Sequence, residues 1–248
     1  MNIDIFKHED NWQDVKDSTM NTIGKTTGAY PTSEWKRRLI MSEHSPIRRI
    51  KFYWRWKDLK YWVSVHLVRH KIGIEHWVTT QRTDRTGVDR NEIPQGALVN
   101  HACEADGQSM INVSRRRLCY GASKETREAW QGVKDETREC GETELAACMV
   151  RECVYRNGLC PEMFSCGYNK TEAFKEELRN YTSFIQSQIC DETNINKKDD
   201  VITLTKEEKE LLLELIFNEQ TLHLIAKDKY DTEKYVTLEK LKAKLRKK

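Results

Sequence analysis

One stretch of the chain alternates between apolar and polar side chains. The segment IKFYWRWK begins at Ile50, and its apolar positions are Ile50, Phe52, Trp54 and Trp56. A period of two is typical of a strand that buries one face and exposes the other. The sequence therefore predicts an antiparallel strand here, with these four side chains facing the core.

Helical patterns lie on both sides of this strand. The segment Glu34–Ser42 predicts a short helix, and Pro46 ends it because the residue before a proline is disfavoured in the α-helical region. After the strand, Asp58 is a candidate N-cap for a helix over LKYWVSVHLVRH, which is apolar around most of its circumference. We expect this helix to be buried and its last turn to carry the basic residues at 69–71.

The second half of the main region is mostly helical in pattern. Thr83–Gly96 is rich in turn-forming residues, whereas Asp106–Glu139 predicts helix with a break near Gly121. Glu142–Val154 predicts one further helix. The expected fold class is therefore α+β, with an antiparallel sheet flanked by helices.

A polar stretch separates a C-terminal module from the main region. Between Cys190 and Lys206 the sequence DETNINKKDDVITLTK has no periodicity, and Thr205 is a candidate helix cap. The amphipathic segments KEEKELLLELIFNEQ and VTLEKLKAKLRKK follow. We therefore expect a main domain over residues 1–190, a linker over 191–204 and a small helical hairpin over 205–248.

Composition narrows the class of protein. The chain of 248 residues is 33% charged and 38% hydrophobic, which suits a folded, helix-rich protein. A formal net charge of +3 is too small to indicate a general nucleic-acid coat, although local basic clusters could bind individual phosphates. No signal peptide or membrane span is indicated, so a cytoplasmic location is the expectation.

Several short motifs occur in a fixed order along the chain. A short helix is followed by SPIRR, the strand IKFYWRWK, a helix ending in RHK, and then VTTQR; further on comes INVSRRRLCYGASKETR. This order resembles the flavin-dependent thymidylate synthases, whose pattern contains S-P-F-E-H, a strand, a helix, R-H-R and E-x-S-x-R. The resemblance covers roughly Glu34–Arg127 and is closest to divergent, phage-type members of that family.

The resemblance implies an activity with its cofactors and partners. It implies the flavin-dependent thymidylate synthase fold, FAD as cofactor, and dUMP or a related deoxypyrimidine nucleotide as substrate. The reaction would methylate dUMP to dTMP with methylenetetrahydrofolate and NADPH as co-substrates. A homotetramer with active sites between subunits is implied, with no membrane partner. Enzyme groups would orient and polarise the pyrimidine rather than attack it.

The same resemblance implies roles for particular residues. FAD would be held by Arg69, His70 and Lys71, with Ser114 and Arg116 near the flavin. The nucleotide would be bound by Thr80, Gln81, Arg82 and Arg127, of which Arg82 and Arg127 would be catalytic. Planar guanidinium groups suit this task, because they hold phosphate oxygens by short charge-assisted hydrogen bonds.

The sequence also permits less specific interpretations. The basic residues at 69–71 could be an exposed helix end, because cations are favoured at helix C-termini. Of Arg115, Arg116 and Arg117, at most two can converge on a ligand, and Arg116 is preferred. The class-different alternative is a non-catalytic or repurposed member that binds nucleic acid or a nucleotide, or a related deoxypyrimidine-modifying enzyme.

The cysteines form a cluster of their own. Cys153, Cys160 and Cys166 fall within a short loop-rich span, CVYRNGLCPEMFSCG. A zinc site needs four thiolate or imidazole ligands, and the spacing here is longer than the usual C-x2–4-C pairs. A zinc site completed by Cys119, Cys148 or His101 is one hypothesis; buried free thiols are the preferred one, and a redox pair is a third.

Overall fold

The structure is a computed structural model that describes residues 1–194 together with residues 210, 212 and 214. Residues Met1–Glu192 form one compact unit. The predicted helical hairpin over 205–248 and most of the predicted linker lie outside the described residues, apart from those three positions.

Four strands form one antiparallel sheet with the order β1-β2-β4-β3. The strands are β1 (Asn2–His8), β2 (Lys51–Lys60), β3 (Ile74–Val78) and β4 (Leu98–Asp106). The helices are α1 (Trp12–Thr22), α2 (Ser33–Met41), α3 (Tyr61–Leu67), α4 (Thr83–Thr86), α5 (Gly107–Arg117), α6 (Lys124–Glu139), α7 (Thr143–Cys148), α8 (Glu152–Tyr155) and α9 (Glu172–Asn194). The predicted α+β class is confirmed.

The core lies on one face of β2. Phe52, Trp54 and Trp56 are fully buried, as the alternating pattern predicts. Helix α6 covers this face: the ring of Trp130 lies 5.7 Å from that of Trp54, and Trp56 Nε1 donates a hydrogen bond to the carbonyl oxygen of Ala129 at 3.1 Å. Aromatic packing therefore fixes α6 against the centre of the sheet.

The start of α3 differs from its prediction. Asp58 does not cap the helix; it lies inside β2 with a φ of 55°, where the pairing with β4 shifts register. At this irregularity the side chain of Leu59 is buried in the core, and Lys60 is the N-cap of α3. The helix therefore begins later than predicted and ends at Leu67, so residues 69–71 follow it in a turn.

Two other helix predictions have different outcomes. The break near Gly121 is confirmed, because α5 ends at Arg117 and α6 starts at Lys124 after the Ser123 cap. The prediction of a single helix over Glu142–Val154 is wrong. The chain forms α7 and α8 there, separated by a segment in which the side chains of Met149 and Val150 are buried.

The last described helix, α9, was not predicted, and it continues to Asn194. The first residues assigned to the linker are therefore helical.

Candidate functional site

The basic run from Val68 to Arg85 is divided by a strand. Its first residues form the turn after α3, its middle is β3, and its last residues form the exposed connection that contains α4. Arg69 and Lys71 are exposed in the first turn, and His70 between them is half-buried. The two basic ends of the run therefore lie at opposite ends of β3.

The first turn meets the end of α5. Arg117, in the last turn of α5, donates a hydrogen bond from Nε to Nε2 of His70 at 2.7 Å. Because His70 accepts this bond, its Nε2 carries a lone pair and its ring is neutral. We call the three arginines Arg69, Arg116 and Arg117, together with the neutral His70 that accepts from Arg117, the cation cluster. The cluster joins the end of α5 to the turn after α3.

The pKa values within the cation cluster show that like charges are close together. Burial lowers the pKa of Arg117, and the neighbouring charges of Arg69 and Arg116 lower it further. Burial also lowers the pKa of His70 to about 4, with Arg117, His76 and Arg116 contributing. Cations that repel one another in a partly buried place favour an anionic ligand.

A cleft of about 520 Å³ opens beside the cation cluster. Arg116 and Arg117 line one part of it, and Glu162, Met163 and Phe164 line another. Met163 and Phe164 are 94% and 89% exposed. Arg116 also forms an ion pair with Glu162. The cleft therefore combines guanidinium groups with exposed apolar side chains.

The three consecutive arginines point to three different partners. Arg115 pairs with Glu43, with its guanidinium 3.6 Å from the centre of the Tyr155 ring, and Arg116 pairs with Glu162. Of these three arginines, Arg117 is the one that donates a hydrogen bond to His70. Sequence reasoning preferred Arg116 for the flavin site, whereas the structure brings Arg117 into contact with the first turn.

Ser114 does not reach the cleft. It is fully buried, its hydroxyl donates to the carbonyl oxygen of Met110 at 2.7 Å, and it accepts a hydrogen bond from Trp130 Nε1 at 2.8 Å. Both contacts lie in the core between α5 and α6. The predicted flavin contact at this position is therefore replaced by a packing role.

The predicted nucleotide-binding residues lie apart from the cation cluster. Thr80 is exposed and Gln81 is half-buried, and the side chain of Arg82 is 63% exposed. Arg82 makes a bidentate pair with Asp84, with Nε to Oδ1 at 2.9 Å and Nη2 to Oδ2 at 2.8 Å. The five residues of β3 span roughly 17 Å at the usual rise per residue, so the strand separates Arg82 from His70.

Arg127 lies in the first turn of α6 and contacts the segment between α5 and α6. Its Nη1 donates to the carbonyl oxygen of Ala122 at 2.5 Å, and its guanidinium lies 4.4 Å from the centre of the Tyr120 ring. Ala122 and Gly121 line the same cleft as Arg117. Arg127 therefore holds the turn that borders the cleft.

Three residues behind the cation cluster form a triangle of polar atoms. His76 Nδ1 lies 3.0 Å from His101 Nε2 and 3.2 Å from Cys103 Sγ. The distance between His101 Nε2 and Cys103 Sγ is 3.3 Å. His76 Nε2 donates to the carbonyl oxygen of His70 at 2.8 Å, which leaves Nδ1 as an acceptor. Nδ1 has one lone pair, so it accepts one hydrogen bond, either from His101 Nε2 or from the Cys103 thiol. His101 Nδ1 is buried and has no hydrogen-bond partner among the described residues.

This triangle is the one set of metal-ligand residues, among those the structure describes, whose atoms lie within 4.8 Å of one another. A carbonyl that orients one imidazole is also common around metal ions. Burial lowers the pKa of His101 to about 3, with His76 adding to the effect. The triangle lies where β3 pairs with β4, with His76 opposite Cys103 and Val78 opposite His101.

Sequence reasoning did not identify Arg117, His76 or Cys103. The alternation of His101 and Cys103 on β4, opposite His76 on β3, was the available signal. The histidines hide this signal, because a histidine does not count as an apolar position. The candidate zinc ligands Cys153, Cys160 and Cys166 all line one small hollow, and Cys119 joins them there.

No protein-family model matches this sequence, and no curated protein matches it. Among solved structures, the chain is similar to the flavin-dependent thymidylate synthase ThyX from Helicobacter pylori, solved with FAD and dUMP. One match has 12% identity and a TM-score of 0.43, covering 54% of this chain and 93% of that chain. Another has 10% identity and a TM-score of 0.46, covering 60% and 98%. Likeness at this level does not by itself assign a family.

A membrane-spanning helix is absent from the described residues, since none of their helices is both long and apolar enough.

The buried, neutral His70 predicts a pH dependence of stability. Its pKa is about 4 in the folded protein against 6.5 for an unperturbed histidine. Between these values the unfolded chain binds a proton that the folded chain does not, so the free energy of unfolding falls as pH decreases from 6.5 towards 4. We expect His70→Gln to lose less stability than the wild type over this range, as measured by urea unfolding at pH 7 and pH 5.

The matched control for this measurement is His44→Gln, because His44 is exposed. It should keep the wild-type difference between the two pH values. Equal pH dependence in the wild type and His70→Gln would contradict the neutral, buried assignment of His70.

Proposed function

We propose that this chain is an FAD-dependent enzyme that methylates dUMP to dTMP with methylenetetrahydrofolate and NADPH. It would be a divergent, phage-type relative of the flavin-dependent thymidylate synthases and would act as a homotetramer. The observation that carries the proposal is the cation cluster beside a cleft of about 520 Å³. Two of its four members, Arg69 and His70, belong to the RHK motif, and Arg116 and Arg117 belong to the INVSRRR motif.

The cation cluster fits the diphosphate of a flavin dinucleotide. Guanidinium groups at Arg69, Arg116 and Arg117 supply charge and planar donors for phosphate oxygens. Among the described residues, Glu162 is the carboxylate paired with the cluster, through Arg116. Burial and the charges of Arg69 and Arg116 lower the pKa of Arg117, and a diphosphate placed here would offset these effects. Lys71, exposed in the same turn, could add a point charge without a bidentate fork.

The residues of the cleft would have distinct roles when FAD is bound. The flavin would supply the redox chemistry of the methyl transfer. Arg117 and Arg69 would hold phosphate oxygens. His70 would orient Arg117 through its Nε2 lone pair and stay neutral at pH 7, because its pKa is about 4. Exposed Met163 and Phe164 would offer apolar surface beside the arginines.

The position of Arg82 favours a site built between subunits. Thr80, Gln81 and Arg82 follow β3, whereas Arg69 and His70 of the cation cluster precede it, so the length of the strand separates the two sets within one chain. A second copy could place its Arg82 beside the first copy's cation cluster. Arg82 would then exchange its exposed pairing with Asp84 for the nucleotide phosphate, while Arg127 holds the turn bordering the cleft.

The experiment that tests this proposal combines a spectrum with an assay. Purified protein should show a flavin spectrum, or gain one on incubation with FAD, and should convert dUMP to dTMP when methylenetetrahydrofolate and NADPH are present. Product mass identifies the added methyl group. Tight, salt-sensitive DNA binding without flavin would favour the nucleic-acid alternative and contradict the proposal.

Replacing Arg117 tests the flavin site. We expect Arg117→Ala to weaken FAD binding by roughly 10-fold to 100-fold, because a hydrogen bond to a charged group contributes about 1.5–3 kcal/mol. Arg117→Lys should lie between the alanine variant and the wild type, because lysine keeps the charge without the fork. Flavin fluorescence titration measures both. Arg138→Ala, an exposed arginine on α6, is the control; equal loss in all three variants would count against the assignment.

Replacing Arg82 tests the nucleotide site separately. Arg82→Ala should abolish measurable dUMP binding while leaving the unfolding temperature unchanged, because the side chain is exposed and pairs only locally with Asp84. Arg85→Ala is the matched control, since Arg85 is exposed in the same connection and also faces Asp84. Isothermal titration with dUMP distinguishes them. Undiminished dUMP affinity in Arg82→Ala would reject this role.

A further inference from the structure

Three side chains from two neighbouring strands bring metal-binding atoms together on the core face of the sheet. His101 and Cys103 are two residues apart on β4, so they share a face, and Cys103 pairs directly with His76 on β3. His101 and Cys103 are fully buried, and His76 is half-buried. On the other side of β4, Cys103 and His101 pair with Trp54 and Trp56 of the core. The triangle is therefore held by the hydrogen-bonded backbone of the sheet.

The separations within this triangle are close to those of ligands around one ion. His76 Nδ1, His101 Nε2 and Cys103 Sγ lie 3.0, 3.2 and 3.3 Å from one another. Around a tetrahedral zinc ion, with its usual bond lengths to nitrogen and sulfur, such atoms lie roughly 3.3–3.6 Å apart. A planar three-coordinate ion would need roughly 3.5 Å or more between them. The triangle is therefore nearer to the tetrahedral arrangement than to the planar one.

Hydrogen bonds alone do not join all three edges of the triangle. His76 donates its Nε2 proton to the carbonyl oxygen of His70, so the single lone pair of Nδ1 is what it offers to the triangle. If His101 Nε2 donates to this lone pair, the Cys103 thiol cannot, and the reverse also holds. One of the two edges that meet at His76 Nδ1 therefore has no hydrogen bond along it. An ion bound by all three atoms accounts for all three close approaches.

The surroundings of the two imidazoles also suit a metal ion. The hydrogen bond from His76 Nε2 to the carbonyl oxygen of His70, at 2.8 Å, fixes the tautomer that leaves Nδ1 available as a ligand. The ring of Trp56 lies 5.3 Å from that of His101 and restricts its orientation. His101 would bind through Nε2 and carry its proton on Nδ1. Both tautomers of His101 leave that Nδ1 without a described partner, so it does not decide between the bound and metal-free forms.

We propose that His76, His101 and Cys103 bind one zinc ion through Nδ1, Nε2 and Sγ respectively. Imidazole nitrogen and thiolate sulfur are donors that zinc prefers in proteins. On binding, the Cys103 thiol loses its proton to solvent and forms the Zn–S bond, and the two neutral imidazoles form the Zn–N bonds, with no change of oxidation state. Three protein ligands leave the fourth position of a tetrahedral ion to water or another small ligand.

The ion would steady the turn that carries part of the cation cluster. His76 donates to the carbonyl oxygen of His70, and the ring of His70 accepts from Arg117. A His76 ring bound to zinc would be held in the orientation that makes this contact, so the ion would fix the turn after α3 against β3. The proposal of a zinc site does not depend on the flavin or the nucleotide. Its test measures the metal, and either proposal can fail without the other.

The test is metal analysis of the full-length chain after incubation with zinc and desalting. We expect about one zinc per chain by mass spectrometry of the elements. Cys103→Ser and His76→Gln should each weaken zinc binding, measured by competition with a chromophoric chelator, by more than the roughly 10-fold to 100-fold that loss of a hydrogen bond to a metal ligand costs. The matched controls are Cys148→Ser, at another buried cysteine, and His66→Gln, at another half-buried histidine. Both should bind zinc as the wild type does.

A second measurement uses the wild type and is independent of how the variants fold. The cobalt-substituted protein should show tetrahedral d–d bands with sulfur-to-cobalt charge transfer, and azide should shift the d–d bands because one position is open. Zinc should also raise the unfolding temperature of the metal-free wild type and of Cys148→Ser, and leave that of Cys103→Ser unchanged.

Four results would overturn the proposal. They are a wild type that takes up no zinc, wild-type zinc affinity in Cys103→Ser or His76→Gln, a cobalt spectrum without sulfur charge transfer or without a response to azide, and zinc lost in Cys160→Ser or Cys166→Ser but kept in Cys103→Ser.

Discussion

The hydrogen bond from Arg117 to His70 is the interaction on which the candidate site depends. It joins the end of α5 to the turn after α3 and brings cations from two distant parts of the sequence to one place. Both helices end there, so the partial negative charge of their C-termini offsets some of the repulsion. Burial lowers the pKa of Arg117, the charges of Arg69 and Arg116 lower it further, and a bound anion would oppose both effects.

The sheet determines where these helix ends meet. β2 leads into α3 through the irregular pairing at Asp58, and β4 leads directly into α5 through the Asp106 cap, whose side chain accepts from the Ser109 N–H at 2.8 Å. Because β2 and β4 are antiparallel neighbours, α3 and α5 start from opposite ends of the sheet. The turn after α3 therefore meets the last turn of α5, where Arg117 contacts His70. The loop that carries Glu162, Met163 and Phe164 then borders the resulting cleft.

The sequence predicted those features that depend on local pattern. Strict alternation identified β2, and Gly121 identified the break between α5 and α6. It could not predict β3 and β4, whose histidines hide the alternation. Helix geometry showed that three adjacent arginines diverge, but only the tertiary neighbour of each decides which one meets His70. Likewise, Cys119 is too distant in sequence from Cys153 for spacing to reveal that they share a hollow.

A crystal structure of the protein grown with FAD tests the central claim most directly, because it locates the dinucleotide relative to the cation cluster. The account predicts diphosphate oxygens within hydrogen-bond distance of the Arg117 guanidinium and of Arg69 or Arg116, with His70 still accepting from Arg117. A diphosphate bound elsewhere, with a carboxylate of a second copy paired with Arg117 instead, would contradict it.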